Sequence, residues 1–71
     1  MEKEAAISSA ISKGLPYIAR IGDGFYPILE VLWSSDEVLV DIGTSQNEIV
    51  MIDDIAATFK VSFTLKEVDV L

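Results

Sequence analysis

Apolar and polar residues alternate in short runs along most of this chain, and a period of two is typical of β-strands. Polar segments rich in Gly, Ser, Asp and Asn, the residues that favour turns, separate the runs. The pattern predicts five strands: Tyr17–Ile21, Phe25–Trp33, Glu37–Ile42, Glu48–Ile52 and Val61–Leu65. Because short turns join neighbouring antiparallel strands, the middle of the chain is predicted to form a β-meander.

The second predicted strand is apolar at both odd and even positions, with Glu30 as its only charge. A strand that is apolar on both faces is expected at the centre of a sheet. Pro27 cannot donate to a strand ladder, so the first third of this strand is expected to be irregular or unpaired on one side. Trp33 and Phe63 are interpreted as core residues, whereas Tyr26 is the aromatic residue expected to be exposed for a contact.

A helical period marks the amino-terminal segment. Apolar residues recur at spacings of three and four within residues 2–13, which predicts an α-helix. Gly14 can adopt the left-handed conformation that ends helices, and Pro16 cannot continue a helix. Leu15 is expected to fold back onto the last helical turn. The apolar stripe is narrow and made of small residues, so the helix is expected to lie close against the sheet.

Two features are predicted towards the carboxyl end. Asp53 and Asp54 are interpreted as N-cap residues of a single helical turn over Ile55–Phe59. Beyond Lys66 the apolar residues change parity, which predicts a bulge or a departure of the last strand from the sheet.

These elements predict a single small α+β domain over residues 1–71. Its N-terminal helix packs on a four- to five-stranded, mainly antiparallel sheet. The sequence does not decide between two forms of the sheet: an open sheet under the helix, and a sheet curled into a small SH3-like or OB-like barrel.

Composition limits the chemistry available to the chain. The 71 residues include no cysteine and no histidine, which removes disulfides, thiolate metal sites and the commonest general base. Arg20 is the only arginine, and no phosphate-binding loop is present. The loop from Asp41 to Glu48 offers oxygen ligands but lacks the spacing of an EF-hand. We therefore predict a protein that is not an enzyme and that holds neither a cofactor nor a metal.

Charge gives the strongest functional indication. The formal net charge is −7, from twelve acidic and five basic residues, and no basic residue lies between Arg20 and Lys60. This balance disfavours nucleic acid and anionic membranes as direct partners, because both attract Lys and Arg. It favours a basic protein surface. The alternative interpretation is that the charge only keeps an apolar chain soluble.

The sequence thus predicts a protein–protein interaction module whose acidic surface binds a basic protein partner. Small phage inhibitors of host defence nucleases and DNA-mimic proteins act in this manner. This analogy rests on the class of protein and not on a match to a family. The candidate partner-binding residues are Asp23, Tyr26, Glu30, Asp36, Glu37, Asp41, Glu48, Asp53 and Asp54.

Two alternative functions remain. The high apolar fraction of so short a chain favours an assembly module that forms a homodimer or larger oligomer without a ligand. The strands that are apolar on both faces motivate a small-ligand site inside a barrel. No signal peptide or membrane-spanning run is recognised in the sequence, so a cytoplasmic location is expected.

Overall fold

The structure is a computed structural model, and it describes residues 1–44 and 46–61. Its helix and strands are α1 (Lys3–Lys13), β1 (Tyr17–Ile21), β2 (Gly24–Leu32), β3 (Glu37–Asp41), β4 (Asn47–Met51) and β5 (Ala57–Lys60). Two 3-10 turns occupy Trp33–Ser35 and Ile52–Asp54. The strands form one antiparallel sheet in the order β4-β3-β2-β1-β5, which is not closed. The predicted α+β fold is confirmed, with an open sheet.

Helix α1 ends as its sequence predicts. Gly14 adopts a left-handed conformation with a φ of 71°. Its amide donates to the carbonyl of Ile11 at 3.1 Å, and the amide of Leu15 donates to the carbonyl of Ala10 at 2.8 Å. These two bonds satisfy carbonyls that the end of a helix otherwise leaves unpaired. They also direct the Leu15 side chain onto the core.

The small residues of α1 allow the helix to lie close to the sheet. Ala6 and Ala10 are fully buried and pack with Ile18 of β1 in the main core cluster. The rings of Phe25 and Phe59 flank this cluster, with their centroids 5.9 Å apart. The face of the sheet that carries Ile18 is therefore the one that the helix covers.

Strand β2 is the central strand, and it changes partners along its length. Its first part, Gly24–Pro27, pairs with β1, and its second part pairs with β3 from Ile28 onward. The register shifts between Ile28 and Glu30, which leaves Leu29 as an extra residue. Such a bulge bends a strand and increases its twist. The one-sided pairing around Pro27 agrees with the expectation from the sequence.

The chain crosses from one edge strand to the other through residues 52–56. The amide of Ile52 donates to the carbonyl of Asp36 at 2.9 Å, and that of Ala56 donates to the carbonyl of Arg20 at 2.8 Å. Four residues together with the two hydrogen bonds reach at most about 20 Å. In a straight, flat sheet, seven residues along β2 and two strand spacings would hold these two carbonyls about 25 Å apart. The sheet is therefore curved, and the crossover lies over its concave face.

Two predicted elements need correction. The second strand ends at Leu32, and Trp33 begins a 3-10 turn because Asp36 closes this turn in the left-handed region, with a φ of 54°. The Trp33 side chain is 77% exposed and does not belong to the core. The helical turn predicted over residues 55–59 is also wrong, because β5 begins at Ala57 and pairs with β1.

The observed turn, Ile52–Asp54, lies earlier in the chain and has Met51 as its N-cap, so the N-cap role predicted for Asp53 and Asp54 is wrong. The predicted strand at Val61–Leu65 begins at the end of the described residues, where Val61 is buried. The core role of Phe63 and the change of parity beyond Lys66 lie outside the described residues.

Candidate functional site

The concave face of the sheet contains an apolar cleft with a volume of about 320 Å³. Strands β2, β3 and β5, the two 3-10 turns and the crossover all contribute to it. The residues that line it are Ile28, Val31, Trp33, Val38, Ile52, Ile55, Ala57 and Thr58. The cleft exists because the bend of β2 and the crossover bring residues from distant parts of the chain together.

Trp33 is the most conspicuous side chain of this cleft. It lines the cleft and yet leaves 77% of its surface exposed to solvent. Large aromatic side chains are usually more buried than this, because each offers a large apolar surface. Trp33 therefore presents apolar surface at the mouth of the cleft.

Four acidic residues surround the same two turns, and we call them the acidic rim: Asp36, Glu37, Asp53 and Asp54. Asp36 closes the first turn, and the hydrogen bond from the Ile52 amide to its carbonyl holds the two turns together. Glu37 is opposite Leu32 and Met51 in the sheet. Asp36, Asp53 and Asp54 are exposed, and Glu37 is half-buried. The fold thus brings together carboxylates that are up to 18 positions apart in the sequence.

The other exposed candidate residues lie elsewhere. Asp23 occupies the β1–β2 turn, at the opposite end of β2 from the rim, and Glu48 pairs with Val40 near the start of β4. Glu30 lies in the middle of the sheet, between these two places. Tyr26 is half-buried and not exposed as expected, because its ring lies over Gly24.

Asp41 has a structural environment that differs from the other candidates. It is 1% exposed, and its Oδ2 accepts hydrogen bonds from the Lys13 ammonium and, at 3.3 Å, from Ser9 of α1. Its Oδ1 accepts a 2.8 Å bond from the Gly43 amide. The Lys13 ammonium and the Gly43 amide hold the pKa of Asp41 below its ordinary value. Asp41 joins the helix to the sheet and is not part of an exposed acidic surface.

The basic residues of the described chain lie on the helix and on two neighbouring strands, and one of them, Arg20, borders the cleft through its pairing with Ala57. Within the part of the chain that the structure describes, they occupy α1, β1 and β5: Lys3, Lys13, Arg20 and Lys60. Two of them have partners there, because Lys13 pairs with Asp41 and the Lys3 ammonium lies 4.6 Å from the centroid of the Phe59 ring. The acidic rim, by contrast, belongs to a stretch without any basic residue.

Sequence reasoning missed the cleft and the position of Trp33. Trp33 directly precedes Ser34, Ser35 and Asp36, a run of turn-forming residues. That run was a signal that the tryptophan lies in a turn, where a side chain is more exposed than in a central strand. The contributions of Ile52 and Ile55 had no such local signal, because the crossover depends on distant hydrogen bonds.

Comparisons with protein-family models, with curated proteins and with solved structures gave no match for this chain. None of the helices in residues 1–44 and 46–61 has the length and apolar character needed to cross a membrane. Over the same residues, no three acidic side chains are grouped closely enough to hold a metal ion.

Proposed function

We propose that this protein is a non-enzymatic protein-binding module that docks its acidic rim on a basic surface of another protein. The observation that carries the proposal is the position of the rim. Its carboxylates flank an apolar cleft and an exposed tryptophan, and no basic residue neighbours them in the sequence. A solubilising charge alone needs no such arrangement, because scattered charges serve that purpose equally well.

The physical basis is electrostatic complementarity combined with an apolar anchor. Negative charges on one surface accelerate the encounter with a positive surface and disfavour partners of like charge. Trp33 supplies an apolar contact that charge alone does not provide, since buried tryptophans commonly dominate the binding energy of an interface. The nucleic-acid channel of another protein carries the positive charge that complements this surface, and occupation of that channel would inhibit the protein that contains it. The lack of cysteine accords with a cytoplasmic location for this interaction.

The experiment compares two double variants that carry the same net charge. Asp53→Asn with Asp54→Asn removes two charges from the acidic rim. Glu2→Gln with Glu4→Gln removes two exposed charges at the start of α1, so that it controls for net charge. Each variant and the unmodified protein are immobilised, incubated with host lysate at low and at raised salt, and analysed by quantitative mass spectrometry.

The proposal predicts a basic protein that the unmodified chain and the helix variant retain equally. The rim variant is expected to lose it, and raised salt is expected to release it, because exposed charges are screened within about 10 Å at 0.1 M salt. A partner that the rim variant retains fully, or a neutral partner whose retention ignores salt, contradicts the proposal.

A second candidate function is self-assembly through β4, and a specific observation favours it. Strand β4 is an edge of the sheet, and Ile49 and Met51 on it are 54% and 47% exposed. An edge strand with exposed apolar side chains is a template for pairing with a second strand. Light scattering over a range of concentrations tests this alternative. A dimer that Ile49→Lys converts to a monomer supports it, and a monomer at every concentration rejects it.

A further inference from the structure

We infer that the apolar cleft beside the acidic rim is the docking site for one apolar side chain, carried by a Lys- or Arg-rich segment of the partner protein. This inference rests on the proposed function and adds to it the chemistry of the partner. The rim selects a charge, whereas the cleft selects an apolar group of limited size.

The lining and the volume of the cleft indicate what it accepts. Six of its eight lining residues are aliphatic, and Trp33 and Thr58 are the other two. An apolar group that leaves water for such a lining is stabilised by the hydrophobic effect, whereas a polar group finds few hydrogen-bonding partners. Small-molecule sites span about 300 to 1,000 Å³, and the 320 Å³ of this cleft lies at their lower end. One large side chain fits such a space.

Trp33 links the cleft to its surroundings. Because it lines the cleft and is exposed, a side chain that enters the cleft buries part of the indole ring as well. This burial removes from water an apolar surface that the fold itself leaves uncovered. It also places the only tryptophan of the chain at the point of contact, where its fluorescence reports occupation.

The charges around the cleft distinguish between occupants. Asp36 follows Trp33 by three positions, and Asp53 and Asp54 lie between the lining residues Ile52 and Ile55. Arg20 pairs with the lining residue Ala57, so these three carboxylates outnumber the basic group beside them. Lys or Arg residues on either side of the inserted group gain from these carboxylates, an acidic segment is repelled, and a neutral ligand gains nothing from them. A second copy of this chain is disfavoured, because each copy carries a net charge of −7.

The test uses two peptides of equal charge, acetyl-Lys-Lys-Leu-Lys-Lys-amide and acetyl-Lys-Lys-Gly-Lys-Lys-amide. Each is titrated into the full chain while the emission of Trp33 is recorded, and amide chemical shifts map the contact. The leucine peptide is expected to bind about tenfold more tightly than the glycine peptide, because it buries one aliphatic side chain. It is also expected to shift the emission of Trp33 to the blue.

Two variants separate the cleft from the charge. Thr58→Phe places a ring at the cleft on the exposed side of an edge strand, so that it fills the cleft with little effect on the core. Ser12→Phe adds the same ring to the exposed side of α1, away from the cleft. The inference predicts that Thr58→Phe reduces leucine-peptide binding to the level of the glycine peptide and that Ser12→Phe leaves it unchanged.

Four outcomes overturn the inference. Equal affinity for the two peptides shows that charge alone is recognised, which leaves the proposed function standing without the cleft. Absence of saturable binding by either peptide rejects the cleft and leaves the proposed function to the lysate experiment. Leucine amide that binds as tightly as the leucine peptide makes the cleft a small-ligand site. Light scattering that shows self-association abolished by Thr58→Phe makes the occupant a second copy.

Discussion

Asp41→Asn is the substitution that most directly tests how the helix is held to the sheet. Asp41 is 1% exposed, and its carboxylate accepts hydrogen bonds from Lys13 and Ser9 of α1 and from the Gly43 amide. An asparagine side chain keeps one carbonyl oxygen for the Gly43 amide. It places an uncharged amide opposite the Lys13 ammonium, so the ion pair between helix and sheet is lost.

The expected loss of stability follows from the bonds that change. A hydrogen bond to a charged group contributes about 1.5–3 kcal/mol to stability. The Lys13 side chain is 48% exposed, so solvent screens the pair, and we take the lower end of this range. Asp41→Asn is therefore expected to reduce the free energy of unfolding by about 1.5 kcal/mol near neutral pH.

The pH dependence has a definite sign. Because folding lowers the pKa of Asp41, the unfolded chain binds a proton on this group more readily than the folded chain does. The contribution of Asp41 is fully present above the ordinary pKa of an aspartate, about 3.9, and it is lost as the pH falls through the lower pKa of the folded state. The difference between the unmodified protein and Asp41→Asn is expected to shrink over that acid range.

Urea unfolding followed by far-ultraviolet circular dichroism at several pH values measures this difference. Glu48→Gln, which neutralises an exposed carboxylate on β4, is the matched control, and it is expected to leave the unfolding midpoint unchanged at every pH. If Asp41→Asn is as stable as the unmodified protein near neutral pH, or if its deficit does not shrink in acid, the proposed role of the ion pair is wrong.

Three further substitutions test other parts of the fold by the same unfolding assay. Gly14→Ala is expected to cost about 1 kcal/mol, because a side chain is strained at a φ of 71° even though its Cβ meets no atom within 4 Å. Ile18→Ala is expected to cost about 3 kcal/mol, since Ile18 is fully buried, whereas the same change at Ile49, 54% exposed, is expected to cost much less. Gly24→Ala is expected to destabilise by displacing the Tyr26 ring, because the new Cβ would lie 2.7 Å from its Cζ atom.

The parts of the fold that follow from local signals were predictable from the sequence. The helix ends at Lys13 because Gly14 and Leu15 supply the hydrogen bonds that close it. The strands follow from the period-two pattern, and Tyr17–Ile21 is predicted with the bounds that the structure has. Each of these features depends on residues that are neighbours in the chain.

The curvature of the sheet and the cleft were not predictable, because they depend on contacts between distant residues. The Ile52 amide bonds to the Asp36 carbonyl, and the register shift beside Leu29 bends the central strand. Asp41 illustrates the same limit for a single side chain. The alternation of β3 places Asp41 on the same face of the sheet as Glu37. Helix α1 covers only the end of that face where Asp41 lies, and it buries Asp41 there.

The measurement that tests the central claim most directly is the affinity of the purified basic partner for the two matched double variants. Titration calorimetry at low and at raised salt gives this affinity for each. We predict that Asp53→Asn with Asp54→Asn weakens binding about five- to tenfold and makes it less sensitive to salt, whereas Glu2→Gln with Glu4→Gln leaves both unchanged. Equal weakening by the two variants, or none by either, would contradict a working role for the acidic rim.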